Sequence, residues 1–188
     1  MEVAEAIHTR RAKRVLQERP VEDDKIDALV EAARLSASCN NNQPWRIVVC
    51  KGKEPLESIK GALAKGNQWA TRAGVILVVA ARPPDDCQLS DMRDYFLFST
   101  GLAIGQLELR AAELGLIAHP IAGFDPLKAK AVLGIPTDYV VITFVIIGYP
   151  GTDDSLLSDK QKALEPNRPE RKPIGENFFL DKWGAPLH

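Results

Sequence analysis

The chain has 188 residues, 45% apolar and 26% charged, which suits one hydrophobic core and is the profile of a globular rather than a disordered chain. The formal net charge of −1 argues against nucleic acid as the main partner, because phosphate binding favours a basic surface. The first eleven residues hold no apolar run of signal-peptide length, and the uncharged run at 95–107 is shorter than the roughly 20 residues of a bilayer span.

In chain order, residues 2–7 read as a short helix that ends near a basic cluster. Ile26, Leu29, Val30 and Ala33 recur at i, i+3, i+4 and i+7, the stripe of an amphipathic helix. Glu22, Asp23 and Asp24 stand at its start, where acids suit the helix dipole. A polar loop follows, then a strand over residues 46–50. Leu56, Ile59 and Leu63 mark another helix. Residues 74–82 form a continuous apolar run, the pattern of a strand covered on both faces. Residues 91–114 predict a helix of about 36 Å at ~1.5 Å per residue. Its middle, residues 95–107, is apolar almost all round and should be buried, either in the chain's own core or against a second chain. Asp125 reads as an N-cap, Pro126 as the first helical residue and Gly134 as the residue after the end. Residues 139–150 give a second doubly buried strand.

The composition changes after Pro150: residues 151–188 are rich in charge and proline. Phe178, Phe179, Leu180 and Trp183 indicate that this tail docks on a surface. One domain, 1–188, with one sheet covered by helices, is expected. There is no glycine-rich dinucleotide fingerprint after a strand, no Walker A sequence and no nucleophile elbow. The three cysteines, Cys39, Cys50 and Cys87, show no metal-ligand spacing and cannot all pair with one another. A reducing cytoplasm and no metal are therefore expected.

Four segments could carry chemistry. Residues 10–14 hold Arg10, Arg11, Lys13 and Arg14 around Ala12, either a solvated basic turn or a site for one phosphate. Ser38, Cys39, Asn40, Asn41, Asn42 and Gln43 either cap the preceding helix or recognise the polar edge of a planar heteroaromatic ring. Ile121, Ala122 and Gly123 precede the Asp125 cap, where a glycine permits close backbone approach. His119 beside them reads as structural. Arg168 and Arg171 form a basic turn in the tail.

Taken in order, these segments resemble the nitroreductase family of dimeric, FMN-dependent oxidoreductases. Residues 10–14 resemble its N-terminal arginine motif, with Ala12 where serine is common. Residues 37–45, "ASCNNNQPW", resemble its polar loop, with Ser38, Asn41, Gln43, Pro44 and Trp45 in register and Cys39 in place of serine. "GNQWA" resembles the segment that places an FMN-contacting asparagine, here Asn67. Residues 119–125 resemble its glycine turn, with Ala122 where some members carry glutamate.

The resemblance implies an α+β fold with a mixed, mainly antiparallel sheet flanked by helices. It implies a homodimer whose C-terminal tails are exchanged. It implies FMN held by Arg10, Arg11, Ala12, Arg14, Ser38, Cys39, Asn41, Gln43, Asn67, Ile121, Ala122, Gly123 and Arg168 or Arg171, with Arg171 preferred. NAD(P)H would deliver hydride to flavin N5, and a nitroaromatic, quinone or similar small acceptor would take it away in a ping-pong sequence. No side chain is named as catalytic. Reductive dehalogenation, flavin cleavage and azoline oxidation are alternatives within the class. A non-enzymatic binding protein using the basic patch is the alternative outside it.

Overall fold

The computed structural model describes residues 1–187. Four strands form one sheet: β1 (Arg46–Cys50), β2 (Val75–Ala81), β3 (Ile117–Ile121) and β4 (Val140–Gly148). Their order is β1-β2-β4-β3, and every described pair is antiparallel. Among the described residues seven α-helices accompany them: α1 (Val3–Thr9), α2 (Asp23–Arg34), α3 (Lys53–Lys60), α4 (Tyr95–Glu113), α5 (Pro126–Leu133), α6 (Asp159–Leu164) and α7 (Ile174–Asn177). The mainly antiparallel, helix-flanked α+β expectation therefore holds.

The two central strands explain the two continuous apolar runs. All seven residues of β2 are buried, and successive side chains enter different layers. Val75, Leu77 and Val79 pack with Leu29 of α2 and with Ala103 and Leu107 of α4. Ile76 and Val78 pack with Leu56 and Ile59 of α3, Trp69 and Ala129 of α5. A strand with a helical layer on each face can be apolar throughout.

α5 starts and stops as its sequence requires. Asp125 accepts from the backbone N–H groups of Leu127 and Lys128, Pro126 opens the helix, and Gly134 follows at φ 65°. α4 begins at Tyr95, four residues later than expected. Strand β3 was not foreseen, because a proline and a histidine interrupt its apolar pattern. Pro120 is tolerated there because β3 is an edge strand, bonded only to β4.

The single chain leaves two apolar surfaces open. α4 is not covered all round: Ala103 and Leu107 are fully buried, whereas Leu97, Phe98 and Leu102 are 41%, 56% and 39% exposed. The tail closes on itself through a bridge between Phe179 and Pro186, leaving Phe178 and Trp183 exposed. Exchange onto a partner is not described by this single chain. Of the cysteines, Cys39 and Cys87 pair as a disulfide, and Cys50 is free and buried. That pairing had no signal in their spacing. Among the described residues, no helix is long and apolar enough to cross a membrane.

Candidate cofactor site

Beyond α1 the chain runs extended along the β3 edge, where Lys13 O lies 2.9 Å from His119 Nδ1. This segment is tied to the tail residues after α6. Arg11 donates to Pro166 O at 2.8 Å and to Glu165 O at 2.7 Å. Glu165 Oε1 accepts from the backbone N–H groups of Arg14 at 2.8 Å and Val15 at 3.0 Å. Arg168 Nη2 donates to the carbonyls of Ile7, His8 and Arg10, which closes the C-terminal end of α1. These bonds hold open a cleft of about 160 Å³ lined by Arg10, Arg11, Ala12, Arg14, Arg168 and Arg171.

All six of those sequence candidates therefore meet in one place. Arg10 is partly neutralised by Glu108 on α4, at 3.2 Å. Burial raises the Glu108 carboxyl above its usual range, against the opposing pull of Arg10. Burial, then the neighbouring Arg10, Arg171 and Arg11 cations, lowers the Arg168 guanidinium from its usual value. Among the described residues, the side chains of Arg14 and Arg171 have no hydrogen-bond or ion-pair partner. Like charges crowded around an open cleft give it a local potential that favours an anion.

The polar loop is a compact turn. Asn40, Asn41 and Gln43 have φ values of 49°, 58° and 49°. Asparagine tolerates this left-handed region better than most residues, which gives a backbone reason for the run of asparagines. Ser38 Oγ accepts from Gln43 N at 3.0 Å, and Gln43 Nε2 donates to Asn41 O at 3.0 Å. The Cys39–Cys87 disulfide and an Asn42–Asp86 bond of 3.3 Å fasten the loop to residues 86–87. The Asn41 side chain is left to solvent.

Asn67 lies beside the Ile121–Gly123 turn. Its Nδ2 donates to Gly123 O at 2.9 Å, while its Oδ1 accepts from Trp69 Nε1 at 3.2 Å. A Cβ on Gly123 would stand 2.5 Å from that Nδ2. The side chain of Asn67 thus holds the turn in place. Ile121 is buried, and Ala122 is exposed at the turn.

The chain does not bring all candidates together. The arginine cleft and the Ile121–Gly123 turn lie at the β3 edge, whereas the 38–43 loop leads into β1 at the opposite edge. Three strand spacings of ~4.8 Å put these edges roughly 14 Å apart. Sequence reasoning missed Glu165, Glu108 and the Asp86–Cys87 pair. None of them stands in a recognisable spacing; they act through contacts made only in the fold.

The nitroreductase family model matches residues 7–149. The chain belongs to the nitroreductase family. A 15.4 kDa protein of the ask 5′ region of Mycolicibacterium smegmatis is 33% identical over 71% of this chain and 88% of its own. The FMN reductase [NAD(P)H] of Bacillus subtilis (strain 168) is 26% identical over 96% of this chain and 76% of its own. A crystal structure described as an oxidoreductase containing FMN superposes with a TM-score of 0.84 at 27% identity, covering 96% of this chain and 92% of that one. The fold is thus that of a nitroreductase.

Proposed function

We propose that this nitroreductase is an FMN-dependent NAD(P)H oxidoreductase that reduces a nitroaromatic, quinone or similar small acceptor. The observation that carries the reading is the arginine cleft, in which Arg14 and Arg171 stand without a partner beside Arg10 and Arg11. The donor set fits a terminal phosphate: guanidinium groups bind phosphate oxygens by charge-assisted, two-pronged hydrogen bonds. The relatives named for FMN add support from outside the chain.

When bound, FMN would supply the two-electron hydride chemistry that links NAD(P)H to the acceptor. The protein's residues bind and orient. Arg14 and Arg171 take the phosphate, and Glu108 keeps Arg10 at the mouth of the cleft. Asn67 holds the Ile121–Gly123 backbone as a wall. Ser38, Asn41 and Gln43 present polar groups to the ring end. Because the loop and the cleft are at opposite sheet edges, the loop facing one cleft comes from a second copy of the chain. The exposed Leu97, Phe98 and Leu102 stripe of α4, and the exposed Phe178 and Trp183, provide apolar surface for that pairing.

The test is to purify the protein, release any chromophore by denaturation and identify it by chromatography against FMN and FAD. Stoichiometric FMN, with parallel-line kinetics for NAD(P)H and a quinone, is expected. FAD, or no flavin after reconstitution, overturns the reading.

A further inference from the structure

Asp86 is 5% exposed, and its Oδ2 has no hydrogen-bond partner. Its Oδ1 accepts from Cys87 N at 2.8 Å and Asn42 Nδ2 at 3.3 Å. No cation reaches it among the described residues. The neighbouring Asp85 by contrast pairs with both Arg82 and Arg46. A buried carboxylate oxygen without a partner is costly, and burial of this kind is normally relieved by a cation or a proton.

The groups around Asp86 favour a cation. The sulfurs of Cys39 and Cys87 and a carboxylate oxygen of Asp86 all lie within 4.8 Å of one another. We propose that Cys39, Asp86 and Cys87 form a redox-gated site for a thiophilic divalent cation of the zinc type, with the disulfide as its closed state. This inference stands independently of the flavin chemistry.

The geometry suits both states. The Cys39 and Cys87 Cα atoms are 6.0 Å apart. Two thiolates bound at ~2.3 Å to a tetrahedral ion sit roughly 3.8 Å from each other, which side-chain rotation at this Cα separation can reach. Asn40 Nδ2 at 3.5 Å and Asn42 Nδ2 at 3.8 Å donate to Cys87 Sγ, contacts that favour a thiolate. Both cysteines are partly exposed, so a reductant and an ion have access. Two sulfurs and one oxygen leave the fourth position to water. Opening takes two electrons and two protons, both from a dithiol that becomes a disulfide, or the electrons from a trialkylphosphine that becomes its oxide and the protons from the water that supplies that oxygen, giving two thiols. Metal binding then displaces both thiol protons to solvent. In either state the 38–43 loop, with its three left-handed residues, stays fastened to residues 86–87.

The experiment uses the full chain, air-oxidised or reduced by a trialkylphosphine, desalted under argon and titrated with Co²⁺. The reduced protein is expected to bind one Co²⁺ with a near-ultraviolet thiolate-to-cobalt band that Zn²⁺ abolishes, and the oxidised protein to show none. Asp86→Asn should weaken binding at least about tenfold, and Cys87→Ser should remove the band. The comparison of oxidised and reduced wild type needs no variant to fold. A reduced protein that binds no better than the oxidised one overturns the proposal. So does unchanged binding in Asp86→Asn, or a disulfide that resists phosphine in the native protein.

Discussion

Arg168 donates through Nη2 to the carbonyl of Arg10 at 2.6 Å and to that of His8 at 2.8 Å. One tail arginine is therefore committed to closing α1, while Arg171, three residues on, lines the same cleft without a partner. The two should separate experimentally.

Arg171→Ala is expected to weaken FMN affinity by about 1.5–3 kcal/mol, the worth of a charge-assisted hydrogen bond, with little change in melting temperature. Arg168→Ala is expected to lower the melting temperature as well, because the carbonyls at the end of α1 lose their donor. Fluorescence titration of apoprotein and thermal melts on both variants make the comparison. Equal loss of affinity at equal melting temperature would contradict this division of labour.

Asn67 and Gly123 form a second testable pair. Asn67→Ala leaves Trp69 Nε1 without its partner, and Trp69 is 1% exposed. An unsatisfied buried donor costs about 1–3 kcal/mol. Gly123→Ala should also destabilise, since its methyl group would press on the Asn67 amide. Once Asn67 is shortened that clash is relieved, so the double variant should be more stable than the sum of the single losses implies. Urea denaturation of the four proteins would read the coupling, and strict additivity would refute it.

How much of this was legible beforehand depends on how local the signal is. The α5 cap rests on neighbouring residues, Asp125, Pro126 and Gly134, and it could be read directly. The buried strands β2 and β4 announced themselves by continuous apolar runs. The arginine cleft was legible only through family motifs, since residues 10–14 and 168–171 are far apart in sequence. Glu165 and Asp86 had no local signature, because their roles arise from segments that meet only in three dimensions. For α4 the pattern could not say which side its own chain covers, because an apolar helix with one open face reads the same as a fully covered one.

His119 gives a pH prediction. Burial, chiefly, lowers its pKa below the ordinary 6.5, with Arg14 and Arg10 adding to the shift. The Lys13 carbonyl and Glu165 oppose it. The ring packs against Trp69 with its plane tilted by 30°, at 4.8 Å between centroids. At pH above 6.5 the imidazole is neutral in folded and unfolded chains alike, so it adds no pH dependence there. As pH falls below 6.5 the unfolded chain takes up a proton first, and stability declines until the folded pKa is passed. His119→Gln should flatten the decline just below pH 6.5 relative to wild type in melts taken across that range. An identical slope in both proteins would remove His119 as its source.

The last prediction separates folding from pairing on α4. Ala103 is 0% exposed and packs with Leu29 and Val79 in the chain's own core. Ala103→Glu would put an unpaired charge there, at a cost of about 3–5 kcal/mol or more, and should unfold the chain. It therefore reports on the monomer's core and cannot report on a dimer. Leu102 is the next residue, 39% exposed beside Phe98 on the uncovered stripe. Leu102→Glu adds a charge at a position open enough for a glutamate to reach water in the single chain, so the far-ultraviolet circular dichroism spectrum should be unchanged. If the stripe is where two copies meet, the same substitution should yield a folded monomer by light scattering. It should also lose flavin, because the 38–43 loop of the second copy is then missing from the cleft. A folded Leu102→Glu dimer that keeps its flavin would place the pairing surface elsewhere. A folded monomer that keeps stoichiometric flavin would show that one chain alone completes the site.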